Sequence, residues 1–122
     1  MSAQAIASAV AGGPPLPLPS PIAMHTAAKL AQENDKPILL DYYADSVLKK
    51  AFIGIDKETN DKILVKSRDE FTSLIKRIVR GSTKEGEDFL VMTENSIYVV
   101  SGAIEKKHIQ ATKMLAEAGD DF

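Results

Sequence analysis

Short apolar runs alternate with polar turn residues along the chain from residue 38 to residue 101. Runs of this length, rich in β-branched residues and bounded by turn residues, are typical of strands. We therefore expect a mainly β (α+β) fold, a small antiparallel meander or barrel of five to six strands. The predicted strands cover residues 38–43, 50–55, 62–66, 74–80, 89–93 and 97–101.

Helical patterns lie on both sides of this region. Ser20 followed by Pro21 is typical of a helix N-cap with proline at the first helical position, and it predicts a short helix over residues 22–34. Residues 103–118 also show helical spacing of apolar side chains, which predicts a C-terminal helix carrying His108.

Residues 67–80 can be interpreted in two ways. Ser67 and Glu70 form a capping-box pattern, which indicates a helix start. The β-branched residues and the glycine that follow favour a strand. We expect one helical turn over 67–72 and a strand over 74–80, with a continuous helix to Arg80 as the alternative.

The first 21 residues differ from the rest in being rich in alanine and proline. Each proline fixes φ and removes a hydrogen-bond donor, so the proline run favours an extended, polyproline II arm. The predicted organisation is an arm (1–21), a short helix (22–34), a β-rich domain (35–102) and a C-terminal helix with an acidic tail (103–122).

Composition excludes several classes of site. The chain has no cysteine, which rules out disulfides, thiolate metal sites and cysteine nucleophiles. The formal net charge of −2 gives no overall field for nucleic acid or anionic membranes. We expect no secretory signal and no membrane span, because the N-terminus lacks basic residues and no apolar run is long enough.

Candidate catalytic and metal-binding residues are few. Asp41 and Asp45 lie near the first predicted strand without evident convergence, and we expect them to be solvated or to cap turns. His25 and His108 have no neighbouring acid or nucleophile at a telling spacing. Asp56 begins a stretch that loosely resembles a calcium loop, but the required glycine and final glutamate are missing. We therefore expect no enzyme activity, no cofactor and no metal.

Two segments could bind partners. A basic segment within residues 62–84 could contact nucleic acid phosphates or a protein partner, and the residues expected to do so are Lys76, Arg77, Arg80 and Lys84. The proline-rich strip could act as a spacer, lie along a neighbouring subunit, or enter an aromatic groove of an adaptor-binding domain. Its residues are Pro14, Pro15, Leu16, Pro17, Leu18 and Pro19.

From Asp35 to Ser101 the chain resembles small virion proteins of nucleocytoplasmic large DNA viruses, of the chlorella-virus and giant-virus type. The segments that carry the resemblance are 36–46, 53–55, 62–67, 70–73 and, most characteristically, Thr-Glu-Asn-Ser-Ile-Tyr-Val-Val-Ser at 93–101. The family pattern has proline where this chain has Leu74, which favours a strand after Thr72.

The resemblance implies a minor capsid protein that links neighbouring capsid subunits, located in the virion and in the host cytoplasm during assembly. It implies no catalytic residues. Other capsid proteins would be its partners, further copies of this chain among them. A small-barrel nucleic-acid-binding protein is the alternative function, and an adaptor presenting Pro-Pro-Leu-Pro is a second.

Overall fold

The computed structural model describes residues 17–81 and 88–110. Within these residues the chain forms two helices and eight strands, so the expectation of a mainly β fold is confirmed. The helices are α1 (Pro21–Asn34) and α2 (Tyr43–Val47). The strands are β1 (Ile38–Leu39), β2 (Phe52–Asp56), β3 (Lys62–Ser67), β4 (Glu70–Phe71), β5 (Ile75–Arg80), β6 (Phe89–Thr93), β7 (Ile97–Val100) and β8 (Glu105–Ile109).

The strands build two four-stranded sheets, both of mixed direction. The first has the order β1-β7-β6-β5 and the second the order β4-β3-β2-β8. Strand β1 runs parallel to β7, and β2 runs parallel to β8, whereas the other neighbours are antiparallel. The sheets therefore depart from the antiparallel arrangement expected for a simple meander, and each parallel pair joins segments far apart in the chain.

Apolar side chains from both sheets meet in one cluster. Ile53 and Leu64 from the second sheet join Val91 and Val100 from the first, and all four are fully buried. Helix α1 covers the opposite face of the first sheet, where its Ala27 packs with residues of β6 and β7. The layers are thus helix, first sheet and second sheet.

This layering explains why the strands have continuous apolar runs rather than strict alternation. Along β3, Leu64 points into the cluster between the sheets, while Ile63 and Val65 form a separate cluster on the other side of the second sheet. A strand that is buried on both faces needs apolar residues at successive positions.

Helix α1 begins and ends with well-formed caps. The Ser20 Oγ accepts a hydrogen bond from the Ala23 N–H (3.1 Å), which confirms the predicted N-cap. At the other end Asp35 has a positive φ of 52°, and the Lys36 N–H donates to the Ala31 carbonyl (3.1 Å). The helix therefore spans the predicted residues and starts one position earlier, at Pro21.

The strand predicted over 38–43 ends at Leu39, and α2 follows it. The reason lies in Ser46, which is fully buried and whose Oγ hydrogen-bonds to the Tyr43 carbonyl (2.5 Å). The same Oγ accepts from the Ser101 N–H (2.9 Å), just past the end of β7. These bonds fix a helical turn against the first sheet where the apolar residues alone favour a strand.

The helical turn predicted over 67–72 is wrong. Ser67 ends β3, and its Oγ accepts from the Asp69 N–H (3.3 Å) to cap a tight turn into β4. The polar pattern therefore indicated a hairpin turn instead of a helix start. The strand predicted after it is confirmed as β5, and the alternative of a continuous helix to Arg80 is wrong.

The prediction of a C-terminal helix over residues 103–118 is wrong for residues 103–110, the part of it that the structure describes. Residues 105–109 form β8, which pairs with β2 in register from Phe52–Glu105 to Asp56–Ile109. Lysine and glutamate favour helices as isolated residues, but lysine is also common on edge strands, where pairing with a neighbour decides the structure. The β-rich domain thus continues past residue 102. Residues 111–118 of the predicted helix lie outside the described residues.

Candidate functional site

The described chain enters the domain at Pro17–Ser20, immediately before α1, and Asp88 holds it there. The Ser20 N–H donates to Asp88 Oδ2 (2.8 Å), and the Tyr43 hydroxyl donates to Asp88 Oδ1 (2.7 Å). The Asp88 side chain is buried, and such charged hydrogen bonds are stronger than neutral ones. One carboxylate therefore ties the start of α1 to the start of α2.

Gly81 makes this close packing of α1 possible. Its N–H donates to the Asp88 carbonyl (2.8 Å), and its carbonyl accepts from Thr26 Oγ1 (3.3 Å). A Cβ at this position would lie 2.9 Å from the Ala23 Cβ and 3.1 Å from the Asp88 carbonyl. We call the point at which the chain enters the domain the entry point (Pro17–Ser20 with Asp88). Hydrogen bonds to Asp88 from the starts of α1 and α2 fix its position.

Apolar side chains are exposed at the entry point and in the first turn of α1. Leu18 is 65% exposed and Ile22 is 59% exposed, although both are large and apolar. The remaining residues of the proline-rich strip, Pro14, Pro15 and Leu16, lie outside the described residues.

A second candidate surface follows β5. This strand lies at the edge of the first sheet, and its Lys76, Arg77 and Arg80 side chains are exposed. The structure therefore brings three of the four predicted contact residues together on one strand. Lys84, the fourth, lies outside the described residues.

A groove of about 320 Å³ runs along the first part of this strand. Residues 75–78 form one wall, and Asn60, Asp61 and Lys62 of the β2–β3 turn form the other. The lining thus includes three cationic residues and one acidic residue, and it has no aromatic side chain. We call this the β5 groove. Lys62 belonged to the basic segment of the sequence, but its place opposite β5 depends on how the two sheets pack.

A third cluster surrounds Lys66, and the sequence analysis missed it. Lys66 Nζ lies 3.3 Å from Glu70 Oε2, 3.6 Å from Asp45 Oδ2 and 4.0 Å from Asp41 Oδ2. It also lies 4.4 Å from the centre of the Tyr42 ring. The two aspartates, which were expected to be solvated or to cap turns, therefore both lie within 4.0 Å of one lysine. The signal in the sequence was a lysine within an apolar strand, four residues before Glu70.

The Lys66 cluster changes the ionisation of its tyrosines and of the lysine. Burial raises the pKa of Tyr42 strongly, and the charge of Glu70 adds to this. Burial also raises the pKa of Tyr98, whose ring contacts Tyr42 edge-on at 5.3 Å. Burial lowers the pKa of Lys66, but its hydrogen bond with Glu70 and the charges of Glu70, Asp41 and Asp45 together outweigh burial, so that its pKa is raised.

These properties suit an ion-pair cluster rather than an acid–base pair. The lysine stays protonated and the tyrosines stay neutral at physiological pH, so none of them is poised to exchange a proton near pH 7. The cluster joins α2, β3 and β4 through one side chain.

The other candidates stay apart or serve the fold. His25 lies on α1 and His108 on β8, and both are exposed. Asp56 Oδ1 accepts from the Glu58 N–H (2.8 Å) and the Thr59 N–H (3.0 Å), so it caps the turn after β2. Among residues 17–81 and 88–110, no group of three or more His, Asp or Glu side chains could hold a metal ion.

No described helix has the length and apolar character to cross a membrane. Comparisons with protein-family models, with curated proteins and with solved structures give no match for this chain.

Proposed function

We propose that this chain is a non-catalytic structural protein of a larger assembly, with a minor capsid protein of a large DNA virus as the specific role. The resemblance of residues 35–101 to small virion proteins supplies that role. In this role, the domain docks on neighbouring capsid subunits, and the N-terminal segment extends to a further subunit.

The observation that carries the proposal is the fixed entry point. A segment that links subunits must be held firmly by its folded domain, and this attachment must fix the direction in which the segment leaves the domain. Asp88 provides such an attachment, because its two carboxylate oxygens bind Ser20 and Tyr43. Leu18 at the entry point and Ile22 in the first turn of α1 are exposed apolar side chains that a neighbouring subunit would cover in this role.

A linked pair of weak contacts suits this role. When the domain has bound one subunit, the attached segment samples a small volume around the next, which raises its effective concentration. Proline in the segment reduces the conformational entropy that is lost on binding. A modest domain can therefore contribute to a stable shell.

The test is incorporation into particles. We expect to find the full chain in purified virus particles, at a constant ratio to the capsid protein. Removal of residues 1–16 leaves the helix cap and the Asp88 contacts in place, so the domain should keep its melting temperature while its copy number per particle falls at least about tenfold, as expected for losing one of two linked contacts. Quantitative mass spectrometry of particles measures this number.

The matched control replaces residues 1–16 by a glycine–serine segment of equal length. It should be incorporated as poorly as the truncated chain, because it keeps the length and loses the proline strip. Absence of the chain from particles, or normal occupancy of the truncated chain, would contradict the proposal. If the strip instead binds an aromatic groove of a host adaptor, the double variant Pro15→Ala with Pro17→Ala should lose binding to that adaptor. Its copy number per particle should then be unchanged.

Nucleic-acid binding is the second candidate, because the β5 groove places Lys62, Lys76 and Arg77 together. Lysine and arginine side chains are the groups that contact phosphates. Single-strand binders add aromatic side chains on which bases stack, and the described groove lining has none. Asp61 would also lie close to any bound phosphate. The geometry therefore favours a protein partner.

A further inference from the structure

Strand β5 has one paired side and one open side in the described structure. It pairs with β6 in register from Arg77–Met92 to Arg80–Phe89, and no described strand lies on its other side. The Gly81 N–H donates to the Asp88 carbonyl, which continues the same ladder. Pairs in an antiparallel ladder alternate between hydrogen-bonded and non-hydrogen-bonded. The backbone groups of Ile78 and Arg80 therefore point away from β6, towards the open side.

Charged side chains accompany this open backbone. Lys76, Arg77 and Arg80 are exposed on β5, and Lys62 lies across the groove. Ile78, at 37% exposed, adds an apolar contact in the same groove. Strand β5 and its groove thus offer hydrogen-bonding groups, positive charge and one apolar side chain.

We propose that the β5 groove binds an extended acidic segment of a protein partner, which adds a strand to the open edge of the first sheet. The backbone of the partner would pair with Ile78 and Arg80, and its carboxylates would lie against Lys62, Lys76 and Arg77. Strand addition of this kind takes its affinity from the main chain and its specificity from side chains at alternate positions.

The charges select against other strands. A second copy of β5 would bring basic side chains opposite basic side chains, which is unfavourable for a cross-strand pair. Lysine on an edge strand protects against unspecific pairing in this way. The carboxylates of an acidic strand would instead be attracted to the basic side chains of β5. The inference deepens the proposed structural role, because it names the chemistry of one subunit contact.

The experiment uses the full chain and a labelled peptide, acetyl-Glu-Val-Glu-Val-Glu-Val-amide, with binding followed by fluorescence anisotropy at low and moderate salt. We expect saturable binding that weakens as salt is added. The same peptide N-methylated at alternate residues keeps its charge but cannot pair as a strand. It should bind at least about tenfold more weakly, because edge hydrogen bonds are lost.

Two charge-reversed chains separate the groove from overall charge. Lys76→Glu with Arg77→Glu should weaken peptide binding at least about tenfold, since attractive cross-strand pairs become repulsive. Lys29→Glu with Lys106→Glu changes the net charge equally at exposed sites on α1 and β8, and should leave binding within about twofold. Circular dichroism checks that both chains are folded.

Equal binding of the N-methylated and unmodified peptides would overturn the inference, as would equal loss in the two charge-reversed chains. Tighter binding of a twelve-nucleotide oligothymidine than of the acidic peptide would also overturn it, in favour of nucleic acid. These results do not involve residues 1–16, so failure here is distinguishable from failure of the particle test.

Discussion

Tyr42 and Lys66 show how a single contact shapes both packing and charge. Tyr42 is only 3% exposed, and its ring faces the Lys66 ammonium on one side and Tyr98 on another. The Lys66 ammonium also lies within 4.0 Å of three carboxylates, those of Asp41, Asp45 and Glu70. Asp41 and Glu70 are more than half exposed, so each of these pairs contributes little by itself. The main effect of the cluster is that the three carboxylates balance the positive charge of Lys66, which lies against the buried ring of Tyr42.

The raised pKa values predict a loss of stability in alkali. In the unfolded chain a tyrosine loses its proton near pH 10.0, whereas folded Tyr42 keeps it to higher pH. The folded state then binds more protons than the unfolded state, so the free energy of unfolding falls as pH rises above about 10. Lys66 acts in the same direction, because its raised pKa gives a contribution that is lost as pH rises. Urea unfolding between pH 7 and pH 11 measures the decline.

The variant Tyr42→Phe isolates the phenol in this experiment. Its free energy of unfolding should decline less steeply above pH 10, while between pH 7 and pH 9 its pH dependence should match that of the unchanged chain. A decline of the same slope in both chains would show that other groups cause it. Absorbance at 295 nm follows tyrosine ionisation independently.

Residue patterns revealed local contacts but not distant ones. The Ser20 N-cap was predictable because the cap and its partner are three residues apart. The bond from Ser20 to Asp88 spans 68 positions, and nothing in the spacing of either residue indicates it. The convergence of Asp41 and Asp45 on Lys66 is similarly a product of the fold.

At the level of elements, sequence patterns were reliable where strands are buried on both faces. Strand β6 was predicted at its observed limits, because its apolar residues and flanking turns are unambiguous. Strand β8 was not, since its three exposed central residues are Lys106, Lys107 and His108. The structure of β8 is decided by its pairing with β2, which a local pattern does not contain.

Gly54 offers a test of how β8 packs on β2. A Cβ at Gly54 would collide with the Ile109 Cδ1 and would lie 3.0 Å from its Cγ1 and 3.3 Å from Val65 Cγ2. The Ile109 side chain is half-buried and must move away, so Gly54→Ala should lower the free energy of unfolding by about 0.5–1.5 kcal/mol, the cost of an unfavourable rotamer. Chemical denaturation measures the change.

A double-mutant cycle with Ile109→Ala gives the control. Once the isoleucine atoms are gone, Gly54→Ala should be neutral or stabilising, because alanine is favoured over glycine within a strand. Additive effects in the cycle would mean that the two residues are not in contact.

At the scale of the whole molecule, the sheets join strands from the early and late parts of the described domain. Strand β1 pairs with β7 and β2 pairs with β8, so the early and late parts of the domain complete one another. The mainly β class was predictable from the number of short apolar runs. The sheet order was not, because parallel partners leave no turn signal between them.

Truncation tests this organisation. A chain ending at residue 102 lacks β8 and the buried Ile104, whereas a chain ending at residue 110 keeps both. Losing a five-residue ladder and one core residue should cost about 3 kcal/mol or more. The shorter chain should therefore melt at least about 12 °C lower. Calorimetry of the two chains gives the comparison, and equal melting temperatures would mean that the domain ends at residue 102.

The bond between Ser20 and Asp88 also has a consequence for the order of events during synthesis. Ser20 leaves the ribosome long before Asp88 has been made, and β2 is likewise made well before its partner β8. Pairings between distant segments form late, because the intervening chain must first be closed into a loop. The proline-rich segment is therefore exposed in the nascent chain before the carboxylate that will anchor it exists. A partner that binds this segment can be recruited while the chain is still being translated.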